Sequence, residues 1–319
     1  MKTIRTFLII LISLIVILVL VPLLIPIQGA GTIDDPRQLA AVDSQFIELN
    51  GVTVHFLDEG QGENSPVILL HGFGSNTWTW NKVIPELAKS RRVIAYDWPG
   101  FGLTSRPLAK DWGVMNPYST EGQVDLLINL LDRLGIQKAV LIGNSAGALI
   151  ATEAALVYPD RVAGLVLVDP ALNGIQFSPF VEWLMQTPQM DRIGPILARQ
   201  IQTRGDEVIA TAWHDPTLIT DQDMQMYHLP LEIKDWDRSL WEFTKAHKAD
   251  VTERINEISV PVLLITGDDD RIVPTTGTLA LAAAHPSWKL IVVENSGHLP
   301  QEERPGDFLD VVTEYLDQR

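Results

Sequence analysis

Cysteine is absent from all 319 residues. That removes disulfides, thiolate catalysis, cysteine-held zinc and any lipid-modified cysteine anchor. It does not fix the redox compartment. Basic residues are few: 24 Lys and Arg stand against 40 Asp and Glu, a formal net charge of −16. A nucleic-acid partner needs Lys and Arg to meet its phosphates, so this balance argues against one. A solvated acidic surface is the plain consequence. No internal repeat is visible, and no low-complexity segment occurs beyond the N-terminus. Apolar residues are not scarce. At 46% they suffice for a substantial core and argue against wholesale disorder.

One long apolar run stands apart. Residues 7–27 are nearly all Leu, Ile and Val, interrupted by Ser13, Pro22 and Pro26. As a helix the run would be about 30 Å long, the thickness of a bilayer's hydrocarbon core. Lys2 and Arg5 precede it, and no acidic residue occurs before Asp34. Positive flanks stay in the cytoplasm, which puts the main body across the membrane. A cleaved signal peptide competes with a retained anchor. The run is longer than a usual signal core, and Gln28-Gly29-Ala30-Gly31 is only a weak small-residue cleavage site, which favours the anchor. A buried core helix does not suit a run with no polar face. The expected organisation is an anchor or signal segment over 1–28 and a tether over 29–44.

From residue 45 the punctuation becomes regular. Residues 45–49 and 52–58 are β-like runs joined at Asn50-Gly51, a hairpin signal. Strands are expected at 67–70, 92–96, 139–143, 162–168, 262–266 and 290–293. Helices are expected at 78–89, 120–134, 146–158, 276–284 and 307–316. This alternation implies an α/β fold, a mostly parallel, doubly wound sheet with helices on both faces and an antiparallel hairpin at one edge. Residues 172–250 break the rhythm, with helical patches and no clear β-run. Four of nine tryptophans (Trp183, Trp213, Trp236, Trp241) and four of six methionines (Met185, Met190, Met224, Met226) lie there. The cluster suggests an inserted helical cap lining an apolar pocket, with 45–171 and 251–319 as the core.

Gly143-Asn144-Ser145-Ala146-Gly147 lies between an expected strand and an expected helix. A nucleophilic serine needs a sharp, strained turn of this kind, with small neighbours on both sides. A serine hydroxyl also needs a base. His298, in the loop after the last strand, is the best placed of seven histidines. His55, His214, His228, His247 and His285 fit free surface histidines. The base in turn needs a carboxylate. Asp268, Asp269 and Asp270 follow the preceding strand, and the residues alone leave the choice open. His71-Gly72-Phe73-Gly74 follows the strand at 67–70. The backbone N–H groups of Phe73 and Ala146 are the natural oxyanion donors. The ring of His71 fits a loop support better than a base.

These segments, with Asp97-Trp98-Pro99-Gly100-Phe101-Gly102, together resemble the α/β-hydrolase superfamily over residues 45–319. The resemblance selects Asp270 as the acid, with Asp169 as the runner-up. It implies a structural role for Asp97. The serine at position 145 argues against dehalogenase and epoxide hydrolase activity, which use an aspartate there. The expected reaction is hydrolysis of an ester-like bond, without cofactor or metal, and the aromatic and methionine content of 172–250 suggests a small hydrophobic substrate. The Gly-Asn-Ser-x-Gly form also resembles hydrolases of carbon–carbon bonds in aromatic ring-fission products. A ligand-binding protein on the same scaffold and an acyltransferase are further alternatives.

Overall fold

The computed structural model describes residues 2–26, 28–113, 115–174 and 176–318. Ile27, where the expected apolar run ends, lies outside the described residues. The chain opens with helix α1 (Lys2–Leu20) and a 3-10 turn, Pro22–Leu24. Among the described residues, Thr3–Leu24 is the one span long and apolar enough to cross a membrane. Its mean hydropathy is 3.5, and only 6% of it is buried.

The eight strands are β1 (Gln45–Leu49), β2 (Val52–Glu59), β3 (Val67–Leu70), β4 (Val93–Tyr96), β5 (Ala139–Asn144), β6 (Val162–Val168), β7 (Val262–Gly267) and β8 (Lys289–Val293). They form one sheet in the order β1-β2-β4-β3-β5-β6-β7-β8. The hairpin β1–β2 and the pair β2–β4 are antiparallel, and the rest are parallel. Side chains alternate between faces along a strand. Ile68 and Leu70 therefore join one core with Leu127 and Leu130 of α3 (Thr120–Arg133) and Ala148 and Ala151 of α4 (Ala146–Val157). Val67 and Leu69 join the other, with Ile84 and Leu87 of α2 (Ile84–Leu87) and Phe308 and Val312 of α12 (Pro305–Leu316). Helices α10 (Thr275–Ala284) and α11 (Pro300–Glu303) complete the core elements. Each fully buried large side chain contributes about 1.5–3 kcal/mol.

The helix expected at 78–89 is broken. A 3-10 turn, Thr77–Trp80, precedes the short α2. Pro85 offers no N–H and its ring crowds the preceding turn, so a helix can only restart beside it.

Between β6 and β7 lie α5 (Pro179–Met185), α6 (Met190–Ala198), α7 (Gln200–Ala212), α8 (Asp221–His228) and α9 (Trp236–Lys245). The two ends of this insertion meet in an isolated antiparallel bridge, Asn173 with Asp250.

The segment read as a bare tether is instead bound along the insertion. Thr32 N and Ile33 N donate to Glu232 O at 2.8 and 3.0 Å, and Lys234 N and Asp235 N donate back to Ile33 O and Ala30 O. Ala30 N donates to Asp237 Oδ1 at 2.9 Å. Arg199 links Asp237 Oδ2 at 2.8 Å to Gln28 O at 2.5 Å. Gly31 has φ +79°, and a Cβ there would lie 2.2 Å from Ile233 O. The small residues thus have a packing reason that the sequence alone could not distinguish from a cleavage signal.

Candidate active site

Ser145 stands between the last residue of β5 and the first of α4, at φ 54° and ψ −118°. For a serine this conformation is strained, at a cost of about 1–3 kcal/mol. Its backbone is held from three sides: Ser145 N donates to Val168 O at 2.9 Å, and Ser145 O accepts from Ala148 N and Ala171 N. The turn also demands close approach. A Cβ on Gly147 would lie 2.2 Å from Leu70 O, and one on Gly72 would lie 3.2 Å from Ser145 Cβ.

His298 and Asp270 come from neighbouring loops at the same end of the sheet. His298 Nδ1 lies 2.8 Å from Asp270 Oδ2, and both side chains are buried. Asp270 Oδ1 accepts from Ile272 N at 2.8 Å and Val273 N at 2.9 Å. A carboxylate so held keeps the proton on Nδ1 and leaves Nε2 as the basic nitrogen. Among the described residues no hydrogen bond joins Ser145 Oγ to His298. Both residues line one cavity, and such bonds often tighten only around substrate.

Asp169 is placed differently. It is fully buried at φ 44°. Its Oδ1 accepts from Thr266 Oγ1 at 2.7 Å and Gly267 N at 3.1 Å. Burial, and then the charge of Asp270, raises its carboxyl well above the usual range. Among the described residues its Oδ2 has no hydrogen-bond partner. Asp169, Asp270 and His298 also have the spacing of a metal site. A cation there would have to displace donors already on both aspartates. Asp268 and Asp269 serve the turn: Asp268 accepts from Ser296 N, and Asp269 pairs with Arg271 and His214.

The N–H groups of Phe73 and Ala146 make no hydrogen bond within the described residues. Ala146 opens α4, where N–H groups lack intrahelical partners and the helix dipole favours negative charge. His71 Nδ1 donates to Gly72 O at 2.7 Å, and its Nε2 accepts from Trp98 N at 3.2 Å. Burial lowers the pKa of His71, and both ring nitrogens are committed to shaping the loop. Asp97 accepts from Thr77 N, Leu103 N and His55 Nδ1. Burial alone would raise its pKa, but the attraction and hydrogen bond of His55 outweigh it and hold the group at about 2. His55 is thus no surface histidine but a buried partner of Asp97.

Four positioning contacts escaped the sequence. Asn144 Nδ2 donates to His298 O at 3.1 Å. Glu303 accepts from Gly297 N at 2.6 Å and His214 N at 2.8 Å. Ala212 O, at the end of α7, accepts from His298 N at 2.6 Å. No periodicity marks such contacts, because most of the partners are far apart in the chain.

The cavity over Ser145 holds about 350 Å³. The insertion supplies Ile201, Val208, Ile209, Trp236 and Leu240 to its wall, and the sheet end supplies Phe101, Ile272 and Leu299. Of the eight Trp and Met residues whose cluster suggested a pocket lining, Trp236 alone lines this cavity. Trp213, Trp241 and Met185 are buried elsewhere, and Trp183 faces solvent.

The sequence family described as alpha/beta hydrolase fold matches residues 65–305. The 2-hydroxymuconate semialdehyde hydrolase of Pseudomonas sp. (strain CF600) is 31% identical over 83% of this chain and 91% of its own length. A thermophilic esterase from Thermogutta terrifontis superposes with a TM-score of 0.69 at 26% identity, covering 86% of this chain and 98% of that one. A meta-cleavage product hydrolase from Pseudomonas fluorescens IP01 gives 0.65 at 28% identity, covering 86% and 97%.

Proposed function

Because this chain belongs to the α/β-hydrolase family, we propose that it is a serine hydrolase that cleaves an ester-like bond, a carboxylic ester or lactone, through an acyl-enzyme on Ser145. One observation carries this reading. Ser145 sits at a strained turn in an apolar cavity that also admits His298, and His298 is tied at Nδ1 to Asp270. In this mechanism Ser145 Oγ attacks the carbonyl carbon while His298 Nε2 takes its proton. The N–H groups of Phe73 and Ala146 receive the oxyanion, a kind of contact whose loss costs about 10²–10³ in kcat. His298 then passes the proton to the leaving oxygen as the acyl–oxygen bond breaks. A water deprotonated by His298 attacks the acyl-enzyme and releases the acid. These steps call on no cofactor or metal.

Around this site we read 45–171 and 251–319 as the catalytic core and 172–250 as a cap that selects a small hydrophobic substrate. We read 1–28 as a single membrane anchor that leaves the catalytic part outside the cytoplasm. Secretion after cleavage is the alternative.

Carbon–carbon bond hydrolysis of ring-fission diketones is the second reading. The Gly143-Asn144-Ser145 form favours it, as does similarity to the 2-hydroxymuconate semialdehyde hydrolase and the meta-cleavage product hydrolase. Against it, no Lys or Arg is among the described residues lining the cavity, and a diketone acid carries a carboxylate.

Fluorophosphonate labelling of the full chain in detergent, mapped by peptide mass spectrometry, tests the serine assignment. A single adduct on Ser145 is expected, lost in Ser145→Ala and His298→Ala together with most turnover. A folded protein that takes no label, or one in which Ser145→Ala turns over normally, refutes it. A simple ester beside a vinylogous diketone acid then separates the two reactions.

A further inference from the structure

The cap carries an apolar face that the cavity does not use. Phe180, Trp183 and Leu184 lie on one side of α5 by their spacing of three and four residues. Phe180 and Trp183 are 67% and 62% exposed, and their rings lie 5.9 Å apart. On α6, which packs against α5, Ile196 and Leu197 are exposed as well. Single exposed apolar residues are ordinary, but a group of this size on adjoining helices points to a partner.

The chain itself indicates which partner. The same part of the cap holds the end of the N-terminal helix. Gln189 Nε2 donates to Val19 O at 3.2 Å, and Arg192 Nη1 donates to Ile25 O at 3.2 Å. The turn Pro22–Leu24 packs on α6, with Pro22 buried. A long apolar helix thus ends against α6, the neighbour of the helix that bears the exposed aromatic residues.

We propose that this face of the cap, Phe180 and Trp183 with Leu184, Ile196 and Leu197, docks in the interfacial layer of the lipid bilayer that the N-terminal helix spans. This rests on the anchor reading given above. Trp and Phe suit that layer, where an apolar body meets lipid at headgroup depth. The short connection from the helix to α6 leaves little room for the cap to stand away from the surface.

The absence of cysteine makes the test clean, since any introduced thiol is unique. The full chain is reconstituted in vesicles of phosphatidylethanolamine and phosphatidylglycerol. Spin labels are attached in turn at Phe180→Cys, Trp183→Cys, Leu197→Cys, Ile12→Cys and Asp310→Cys, with circular dichroism checking each fold. Collisions with oxygen dissolved in lipid are compared with collisions with a water-soluble nickel chelate. The expected result is lipid exposure at 180, 183, 197 and 12, and water exposure at 310. Lipid exposure at 12 with water exposure at 180, 183 and 197 overturns the docking face and leaves the anchor standing. Water exposure at 12 overturns the anchor and the docking face with it. Labels at 180, 183 and 197 shielded from both reagents, with spin–spin broadening, identify a second copy of the chain as the occupant and also overturn the proposal.

Discussion

At the scale of single residues, the two buried aspartates beside His298 divide the work by charge. Asp270 accepts from His298 Nδ1, whereas burial and then the charge of Asp270 raise the Asp169 carboxyl well above the usual carboxylate range. An amide matches a protonated carboxyl in shape and charge, and Asn tolerates the φ of 44° at position 169. Asp169→Asn should therefore leave kcat nearly unchanged, while Asp270→Asn should lower it by about 10⁴-fold through the wrong histidine tautomer. Steady-state kinetics on one ester checks both, and equal losses would contradict this division. A pH effect follows as well. The folded pKa of Asp169 lies above its ordinary 3.8, so its contribution to stability is complete below 3.8 and is lost as pH rises through the folded value. Asp169→Asn cannot ionise, so its Tm should fall less steeply as pH rises above 3.8 than that of the unaltered chain. The pairing of His298 with Asp270 was legible because each follows a strand, although choosing among three aspartates took the family pattern. The burial of His55 was not legible, because its partner Asp97 lies 42 residues further on.

At the scale of elements, strands were read well where both faces are buried. Continuous apolar runs such as Val67–Leu70 admit few other structures. The helix expected at 78–89 is interrupted because Pro85 overrides the helical spacing around it. The five helices of the insertion appeared only as patches, since long-range contacts fix their arrangement. The turn between β5 and α4 carries a sharp prediction about packing. Gly147→Ala would set a Cβ 2.2 Å from Leu70 O and 2.6 Å from His71 O. Backbone atoms of a buried strand end cannot give way, so a loss of about 1–3 kcal/mol is expected. Gly277→Ala, in exposed helix α10 with nothing near its Cβ, should instead gain about 0.5–1 kcal/mol. Urea unfolding of the two variants provides the comparison, and an equal sign for both would refute it.

At the scale of the whole molecule, the N-terminal segment, the insertion and the sheet form one connected body. Asp237 is fully buried and receives Arg199, Ala30 N and Arg238 N. Arg199→Ala removes a charged donor from that carboxylate and frees Gln28 O, a loss of about 1.5–3 kcal/mol. Hydrogen exchange should quicken at 229–237 and remain slow in β5 and β6. Uniform acceleration would mean that the segment is not a separate clamp. The bridge between Asn173 and Asp250 has an evolutionary consequence. The chain departs from the sheet and returns at a single backbone pair, so descendants could exchange everything between those two positions without rethreading a strand. Such a lineage could acquire new substrates by crossovers at those two positions, provided each replacement again presented a carbonyl where Ala212 now receives the N–H of His298 and acceptors where Glu232 and Asp237 now receive the N-terminal segment.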